Sequence, residues 1–271
     1  MKKATAILGI DPAWTDAGSS GVALLRRAGK KWKRVAVASS YADFMKRAKL
    51  PGPEVHDNTF PGAENLLRAA KNLLNGLPVD LVCVDMPLSL VPITGRRSAD
   101  NAILAIFGHW KCGTDSPTKK RPGFLAAKIR DQFKSRGFRL ATTRMGAGTC
   151  PAIIEVYPHT ALLSLLHAKE RVPYKITKAA HYNPHMGPDA ARDCVRSKWR
   201  RIGSALGEYI SIPSHWEFPS RTSRVRQMKS YEDALDALIC AWVGIQYLDG
   251  CISAHGGETG AIWTPPLFKL T

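Results

Sequence analysis

Apolar residues in the first forty positions fall into three short runs separated by small or basic turn residues. The first run covers residues 4–11 and ends in an aspartate, and the next two cover residues 22–25 and 32–37. Short apolar runs bounded by turn residues predict buried strands. Because the links between them are short, we expect neighbouring strands to be antiparallel, as in a β-meander.

Beyond residue 50 the pattern alternates between helices and strands. Apolar side chains recur every three or four positions in residues 62–74, which predicts an amphipathic helix. Residues 79–85 predict a strand that is parallel to the first, since the helix between them provides a crossover. Further helices are predicted at 98–107, 124–133, 160–169, 189–209 and 231–249, a strand at 152–157, and loops at 108–123, 174–189 and 211–230.

This alternation is typical of an α/β fold. We expect one domain over residues 1–271, with insertions at about 108–150 and 170–230. Apolar residues make up 45% of the chain and charged residues 23%, as in globular proteins. The longest apolar stretch is far shorter than the roughly 20 residues that span a membrane, and the N-terminus does not resemble a signal peptide. We therefore expect a soluble, cytoplasmic protein.

Basic residues strongly outnumber acidic ones. The chain has 39 Lys+Arg against 22 Asp+Glu, which gives a formal net charge of +17. This surplus favours a polyanionic partner, with DNA or RNA ahead of an anionic membrane surface. The basic residues cluster at 26–34, 119–121, 196–201 and 221–229. A solvated surface is the alternative for each cluster.

One of these clusters surrounds a tryptophan, whose ring could stack on unpaired bases. Its members are the first candidates for nucleic-acid binding: Lys198, Trp199, Arg200 and Arg201. Arg96 and Arg97 are further candidates, because they follow the strand predicted at 79–85 and could grip a phosphate. The alternative is that these two arginines are simply solvent-exposed side chains at the start of a helix.

Three of the predicted strands carry an acid near the point where they end. These acids are Asp11, Asp85 and Glu155, and each is closely followed by proline. The carboxyl ends of strands in an α/β sheet are where ligands bind. A carboxylate buried there is unfavourable unless it is paired with a cation or hydrogen-bonded.

The last predicted helix carries two more acids, Asp233 and Asp236, which share one face because they lie three positions apart. Four or five converging acids, without a cysteine pair, favour Mg²⁺ or Mn²⁺. Two such ions about 4 Å apart would activate a water and stabilise the leaving oxygen in phosphodiester hydrolysis. Taken singly, each acid could instead be a turn former, an ion-pair partner or a helix cap.

The order of these elements resembles the ribonuclease H-like superfamily, and within it the predicted-nuclease family called domain of unknown function 429 (DUF429). The matching segments are Gly-Ile-Asp at 9–11, Ser-Gly-Val-Ala at 20–23, Val-Asp-Met-Pro-Leu at 84–88, Glu-Val-Tyr-Pro at 155–158, Tyr-Glu-Asp-Ala-Leu-Asp-Ala-Leu at 231–238 and Gly-Ala-Ile-Trp at 260–263. The resemblance implies a mixed five-stranded sheet, a three-strand antiparallel meander plus two parallel strands, flanked by helices. It also implies a nuclease that cleaves by a two-metal mechanism.

The acidic motif at 233–238 is also similar to the last acidic motif of Holliday-junction resolvases of the same superfamily. That similarity implies a metal-binding quartet of Asp11, Asp85, Asp233 and Asp236. Glu155 goes beyond the resolvase pattern. It is a candidate catalytic ligand, or it orients Arg97 or another basic residue.

Two other functions remain open at this point. A strand, an acid and a small-residue turn, as at 11–21, also begin kinases and ATPases of the actin and sugar-kinase type. Such proteins also have a second glycine-rich turn that binds phosphate, and the one candidate for it in this sequence, Gly146-Ala147-Gly148, is weak. The third possibility is a non-catalytic nucleic-acid-binding module.

Overall fold

The computed structural model describes residues 5–14, 18, 20–52, 59–211 and 218–267. Within these ranges the chain forms a mixed sheet of nine strands with eight α-helices around it. The strands are β1 Ala6–Asp11, β2 Gly21–Ala28, β3 Lys31–Ala38, β4 Leu81–Val84, β5 Arg139–Leu140, β6 Ala152–Val156, β7 Ile210–Ser211, β8 Ser253–Gly257 and β9 Gly260–Thr264. The helices are α1 Tyr41–Arg47, α2 Ala63–Leu73, α3 Ser98–Phe107, α4 Gly123–Ser135, α5 Pro158–Leu166, α6 Ala179–Tyr182, α7 Pro188–Gly207 and α8 Val225–Leu248.

The centre of the sheet is built from the five predicted strands. The strand order is β7-β3-β2-β1-β4-β6-β9-β8, and β5 also pairs with β6. The meander β1–β2–β3 is antiparallel, whereas β4 runs parallel to β1 and β6 runs parallel to β4. The predicted α/β fold is therefore confirmed. The prediction of five strands was too low by four: β5 and β7 have only two residues each and leave no sequence pattern, and the antiparallel pair β8 and β9 extends the sheet beyond β6.

The helices differ from the prediction in a few places. Helix α1 was not predicted; it begins after Ser40, whose side chain accepts a hydrogen bond from the Asp43 amide at 3.0 Å. Helix α8 begins at Val225, within a predicted loop of which residues 212–217 lie outside the described residues. The loop predicted at 174–189 contains α6 and the start of α7. No helix in the described part of the chain combines the length and apolar character needed to cross a bilayer.

Two apolar cores lie on opposite faces of the sheet, and α8 packs on one of them. In β1, Ile7 belongs to the core beneath α8, while Leu8 and Ile10 belong to the core that includes α1, α2 and α4. In β4, Cys83 likewise faces α8. Since side chains alternate along a strand, the residues that share the parity of Ile7 and Cys83 lie under α8.

Helix α8 approaches the sheet very closely because glycine occupies the contact positions. A Cβ atom on Gly9 would collide with the Ala237 carbonyl, and one on Gly21 would collide with the Asp233 carbonyl. Gly21 is paired with Asp11 across the β1–β2 ladder. These two glycines therefore set the distance between the end of β1 and the acidic turn of α8.

We expect Gly21→Ala to destabilise the fold by about 1–3 kcal/mol and to weaken divalent-cation binding, because backbone must move to admit the new methyl group. Urea unfolding and Mn²⁺ titration measure the two effects. Gly203→Ala is the control, since a Cβ atom at Gly203 in α7 meets no other atom. This control should be neutral or stabilising by up to about 1 kcal/mol. Equal stability and Mn²⁺ affinity of Gly21→Ala and the native chain would contradict the prediction.

Candidate metal centre

Three aspartates that are distant in sequence meet at the carboxyl end of β1. Asp11 ends β1, and Asp233 and Asp236 lie on the face of α8 that covers it. One carboxylate oxygen from each of the three lies within 4.8 Å of the other two. Asp233 and Asp236 are buried, whereas Asp11 is partly exposed. Oxygens grouped in this way can all reach one ion at the Mg²⁺–oxygen distance of about 2.1 Å after small side-chain adjustments.

The fourth predicted ligand, Asp85, lies beside this group. It follows β4, which is paired with β1, and its amide donates a hydrogen bond to the Ile10 carbonyl at 3.0 Å. Its charge contributes to the raised pKa of Asp11. The structure therefore brings Asp85 to the same end of the sheet as Asp11, next to the group of three oxygens.

Two lysines contact the acids of α8. The Lys175 Nζ lies 2.5 Å from Asp236 Oδ2 and 3.7 Å from Glu232 Oε1. Lys229 donates to Asp233 and, at 3.1 Å, to Glu232 Oε1. The centre thus contains ammonium groups as well as carboxylates.

Hydrogen bonds also fix the positions of the acids on α8. The Tyr174 hydroxyl donates to Asp236 Oδ1 at 2.6 Å, and the Ile176 amide donates to Glu232 Oε2 at 2.5 Å. Both oxygens of Asp236 are therefore engaged, one by Tyr174 and the other by Lys175, so its carboxylate is held in one orientation.

The sequence patterns did not indicate Tyr174, Lys175, Lys229 or Glu232 as site residues. Lys229, Glu232 and Asp233 have helical spacing, and the i, i+3 and i, i+4 rule could have placed them together. Tyr174 and Lys175 have no such signal, because they lie in a segment that was interpreted as a loop.

Burial and mutual repulsion dominate the electrostatics of the centre. Burial, and then the charges of Asp236 and Asp85, raise the pKa of Asp11 well above its usual value. Burial also raises the pKa of Asp85 to about 8, although the Lys175 ammonium opposes this shift. Burial would lower the pKa of Lys175, but the Asp236 carboxylate raises it above its usual value. Negative charge in excess of the two ammonium groups favours a bound divalent cation.

The raised pKa of Asp85 predicts a pH-dependent stability in buffer free of divalent cations. The folded state keeps a proton on Asp85 that the unfolded chain releases near pH 4, so stability falls as the pH rises from about 4 towards 8. Between pH 5 and 7 we expect a loss of about 2 kcal/mol that the Asp85→Asn variant does not show. Urea unfolding in EDTA measures this difference, with the exposed Asp131→Asn as control. Parallel pH profiles for the native chain and Asp85→Asn would contradict it.

Glu155 lies outside the group of three aspartates. In β6 its neighbours Ile154 and Val156 face α8, so Glu155 points to the opposite face of the sheet. Its carboxylate accepts two hydrogen bonds of 2.7 Å from the Arg97 guanidinium and one of 2.7 Å from the Leu88 amide. The structure therefore places Glu155 in the second role considered above, that of orienting Arg97.

The interpretation of Arg97 as a phosphate-binding residue requires correction. Its guanidinium also donates to Asp100, at 2.8 and 3.0 Å, and its side chain is only 10% exposed. The guanidinium is held by two buried carboxylates, and it has little surface left to meet a phosphate. Arg96, in contrast, is exposed, with hydrogen bonds to Asn101 and Ser116, and its role in nucleic-acid binding stays a prediction.

The prediction that Trp199 stacks on bases is wrong. Trp199 is fully buried on the apolar face of α7, and its indole donates to the Tyr174 carbonyl at 2.8 Å. It therefore supports the segment that carries Lys175.

The neighbours of Trp199 on α7 remain candidates for nucleic-acid contact. Arg200 is exposed and lies over the Phe218 ring, 4.6 Å from its centroid. Arg201 is exposed and donates to the Leu166 carbonyl, and Lys198 is half-buried.

A groove of about 910 Å³ opens along the first half of α8. It lies between β3, the first half of α8 and residues 218–223, and it reaches Ala234, the residue that follows Asp233. Arg34 and Arg47 both line it. Burial and the nearby charge of Arg47 lower the pKa of Arg34. The groove is polar and carries two guanidinium groups, of which that of Arg47 is paired with Asp43, another lining residue, at 3.0 Å.

The fold and this centre together define an α/β protein with a buried aspartate cluster that could hold a metal ion. The chain belongs to the family described as protein of unknown function (DUF429), whose model matches residues 66–259. The predicted resemblance to DUF429 is thus confirmed. The match includes Asp85, Asp233 and Asp236 and begins after Asp11. No curated protein gives a significant match. No solved structure gives one either.

Proposed function

We propose that this protein is a metal-dependent nuclease that hydrolyses phosphodiester bonds of DNA or RNA. The observation that carries the proposal is the group of oxygens from Asp11, Asp233 and Asp236 within 4.8 Å of one another. Oxygen donors of this kind suit Mg²⁺ or Mn²⁺. They lie in a protein with a net charge of +17, which attracts a polyanion.

The topology supports a ribonuclease H-like assignment. The central order β3-β2-β1-β4-β6, with an antiparallel meander followed by two parallel strands, is the arrangement that the resemblance implies. The positions of the acids also support it, since Asp11 ends β1, Asp85 follows β4, and Asp233 and Asp236 lie on the last long helix.

The residues of the centre would have different roles in hydrolysis. A divalent cation, when bound, supplies charge for a phosphoryl oxygen and lowers the pKa of water. Asp11, Asp233 and Asp236 would hold it, and the hydrogen bonds from Tyr174 and Lys175 keep Asp236 in place. Such preorganised contacts reduce the rearrangement needed during reaction.

The groove along α8 supports a nucleic-acid substrate. Arg34 and Arg47 line it and can attract the phosphate backbone, although Asp43 offsets part of the charge of Arg47. Basic residues on the neighbouring surface, including Arg200, extend the positive potential.

The alternative of a kinase or ATPase has less support. Gly146-Ala147-Gly148 leads into β6 rather than into the N-terminus of a helix, so it lacks the usual geometry of a phosphate-binding turn. The other candidate turn, at 11–21, includes residues 15–17 and 19, which lie outside the described residues.

A cleavage screen tests the proposal. The full-length protein is incubated with single-stranded, duplex and branched DNA and RNA in Mg²⁺, in Mn²⁺ or in EDTA. We expect cleavage of at least one substrate in Mg²⁺ or Mn²⁺ and none in EDTA. Binding without cleavage on every substrate would favour a non-catalytic module, and nucleotide-dependent turnover of ATP would favour the kinase or ATPase alternative.

Salt dependence tests the proposed partner. We expect the affinity for a non-cleavable oligonucleotide to fall steeply with salt, because each neutralised phosphate releases a counterion. Fluorescence anisotropy between about 50 and 200 mM salt gives the slope of log K against log [salt], with Arg68→Gln on the exposed face of α2 as a control variant. A flat plot would argue against phosphate contacts.

A further inference from the structure

Arg171 is an arginine near the metal centre whose charge meets no carboxylate. Its guanidinium donates to the His159 Nε2 at 2.7 Å, and the residue is partly exposed. Within the described residues, no Asp or Glu lies within ion-pair distance of it. The acid that precedes it, Glu170, pairs instead with Lys111 at 2.5 Å. Arg171 therefore keeps an unneutralised charge and unused N–H donors.

Two side chains connect Arg171 to the metal centre. The His159 ring lies edge-on to the ring of Tyr174, with 5.3 Å between the two centroids. The Tyr174 hydroxyl in turn donates to Asp236 Oδ1 at 2.6 Å. Tyr174 belongs to the core beneath α8. Arg171 is thus only two side chains away from a grouped aspartate, on the face of the sheet that α8 covers.

The hydrogen bond from Arg171 fixes the protonation state of His159. A guanidinium can only donate, so the His159 Nε2 must be unprotonated and the ring proton must be on Nδ1. Burial, and then the charge of Arg171, lower the pKa of His159 well below its usual value, which agrees with a neutral ring. His159 therefore holds Arg171 in place without neutralising its charge.

This arrangement leaves the other ring nitrogen of His159 without a partner. His159 is only 5% exposed, and its Nδ1 is buried and has no hydrogen-bond partner in the described part of the chain. A buried N–H group without an acceptor is unfavourable. The ring is kept in place by packing between Tyr157 and Tyr174, with centroids at 5.4 and 5.3 Å. Its one hydrogen bond serves to orient Arg171.

We propose that Arg171, positioned by His159, binds a phosphate of the nucleic-acid strand that flanks the phosphate at the metal centre. This inference rests on the proposed function and adds a second phosphate contact to it. A planar guanidinium with unused N–H groups matches two oxygens of a phosphodiester. Helix α5 begins at Pro158, so its positive N-terminal end also lies beside His159 and favours an anion there.

The comparison with Arg97 supports this assignment. Arg97 is held by the carboxylates of Glu155 and Asp100, which neutralise its charge. Arg171 is held by a neutral imidazole instead. Of these two arginines, Arg171 is therefore the one that retains the charge and the donors that a phosphate requires.

The experiment measures how fluorescein-labelled DNA and RNA oligonucleotides, single-stranded and duplex, bind the full-length protein in EDTA. Fluorescence anisotropy at several salt concentrations gives the affinity and its salt dependence. For the oligonucleotide that the native chain binds most tightly, we expect Arg171→Met to weaken binding about tenfold at low salt. We also expect the slope of log K against log [salt] to become shallower by about 0.7–0.9, the contribution of one phosphate contact.

Arg136→Met is the matched control. Arg136 is exposed and follows α4, which packs on the opposite face of the sheet. This variant loses the same charge at a place far from the centre. We expect it to keep the native affinity and the native slope.

His159→Phe tests the positioning role of the histidine. Phenylalanine keeps a ring between Tyr157 and Tyr174 but cannot accept a hydrogen bond from Arg171. We expect this variant to bind more weakly than the native chain, and to cause no further loss when it is combined with Arg171→Met, because both substitutions remove the same contact. Thermal melting shows whether each variant is folded, and His159→Phe tests the inference even where Arg171→Met does not fold.

The outcomes separate this inference from the proposed function. Native affinity and slope in Arg171→Met would overturn the role of Arg171 and leave the nuclease proposal standing. Equal losses in Arg136→Met would also overturn it, and additive losses in the double variant would overturn the positioning role of His159. If the native chain binds no oligonucleotide, both proposals fail. The expected change of slope without any metal-dependent cleavage would overturn the nuclease and leave Arg171 as a phosphate-binding residue.

Discussion

The Asp11→Asn and Asp236→Asn variants should each lose phosphodiester cleavage by at least about 100-fold while they still bind nucleic acid. Replacement of a residue that only orients a metal ligand commonly reduces activity by about 10- to 100-fold, and loss of a ligand itself should have a larger effect. Asparagine keeps the shape of aspartate but removes its charge, so the group of three oxygens would hold the cation weakly.

Binding should survive these substitutions for an electrostatic reason. Each variant removes one carboxylate from the centre, which reduces repulsion of a polyanion. Single-turnover cleavage and anisotropy binding, measured side by side, give both quantities. Asp249→Asn is the control at the C-terminal end of the same helix, where the carboxylate is exposed and pairs with Arg27 at 3.3 Å. Native rates of cleavage in both variants would contradict the assignment of the centre.

The second large effect is expected on stability. We expect Arg97→Met to destabilise the fold by about 3–5 kcal/mol, because it leaves Glu155 and Asp100 buried without their cation. Burial raises the pKa of Glu155, and the charge of Arg97 lowers it again in part. Without the guanidinium, we expect one of the two acids to become protonated.

Urea unfolding measures this effect, and Mn²⁺ titration under native conditions should show an unchanged stoichiometry. Arg96→Met is the matched control, since Arg96 is the adjacent exposed arginine and its loss should change stability by no more than about 1 kcal/mol. A stable Arg97→Met variant with weakened nucleic-acid binding would contradict this prediction and would indicate that Arg97 binds phosphate after all.

Glu155 and Asp85 show why the sequence alone does not reveal which strand-end acids belong to the metal centre. Both acids lie near the end of an apolar strand and before a proline. Asp85 follows the last residue of β4 and lies beside the end of β1, whereas Glu155 lies within β6 and alternates there with residues that face α8. Both strands are buried on both sides, so neither shows the alternation of apolar and polar residues that would reveal its orientation.

Trp199 and Lys175 illustrate the same limit in helices and loops. A tryptophan among arginines resembles a stacking platform, but the apolar stripe of α7 buries it. Lys175 lies in a segment without periodicity, and its contact with Asp236 joins residues 61 positions apart. Such contacts depend on how the chain crosses the sheet, and no local spacing encodes them.

The sequence by itself determined the α/β class, the meander, the parallel strand β4 and the family, because apolar periodicity and ordered motifs are local properties that survive in the one-dimensional chain. It also identified Asp11, Asp233 and Asp236 as partners. Only the tertiary structure decided which face each strand presents to α8, and therefore that Glu155 binds Arg97 and that Lys175 enters the centre. These features arise from packing between distant segments, where close approach at Gly9 and Gly21 sets the geometry.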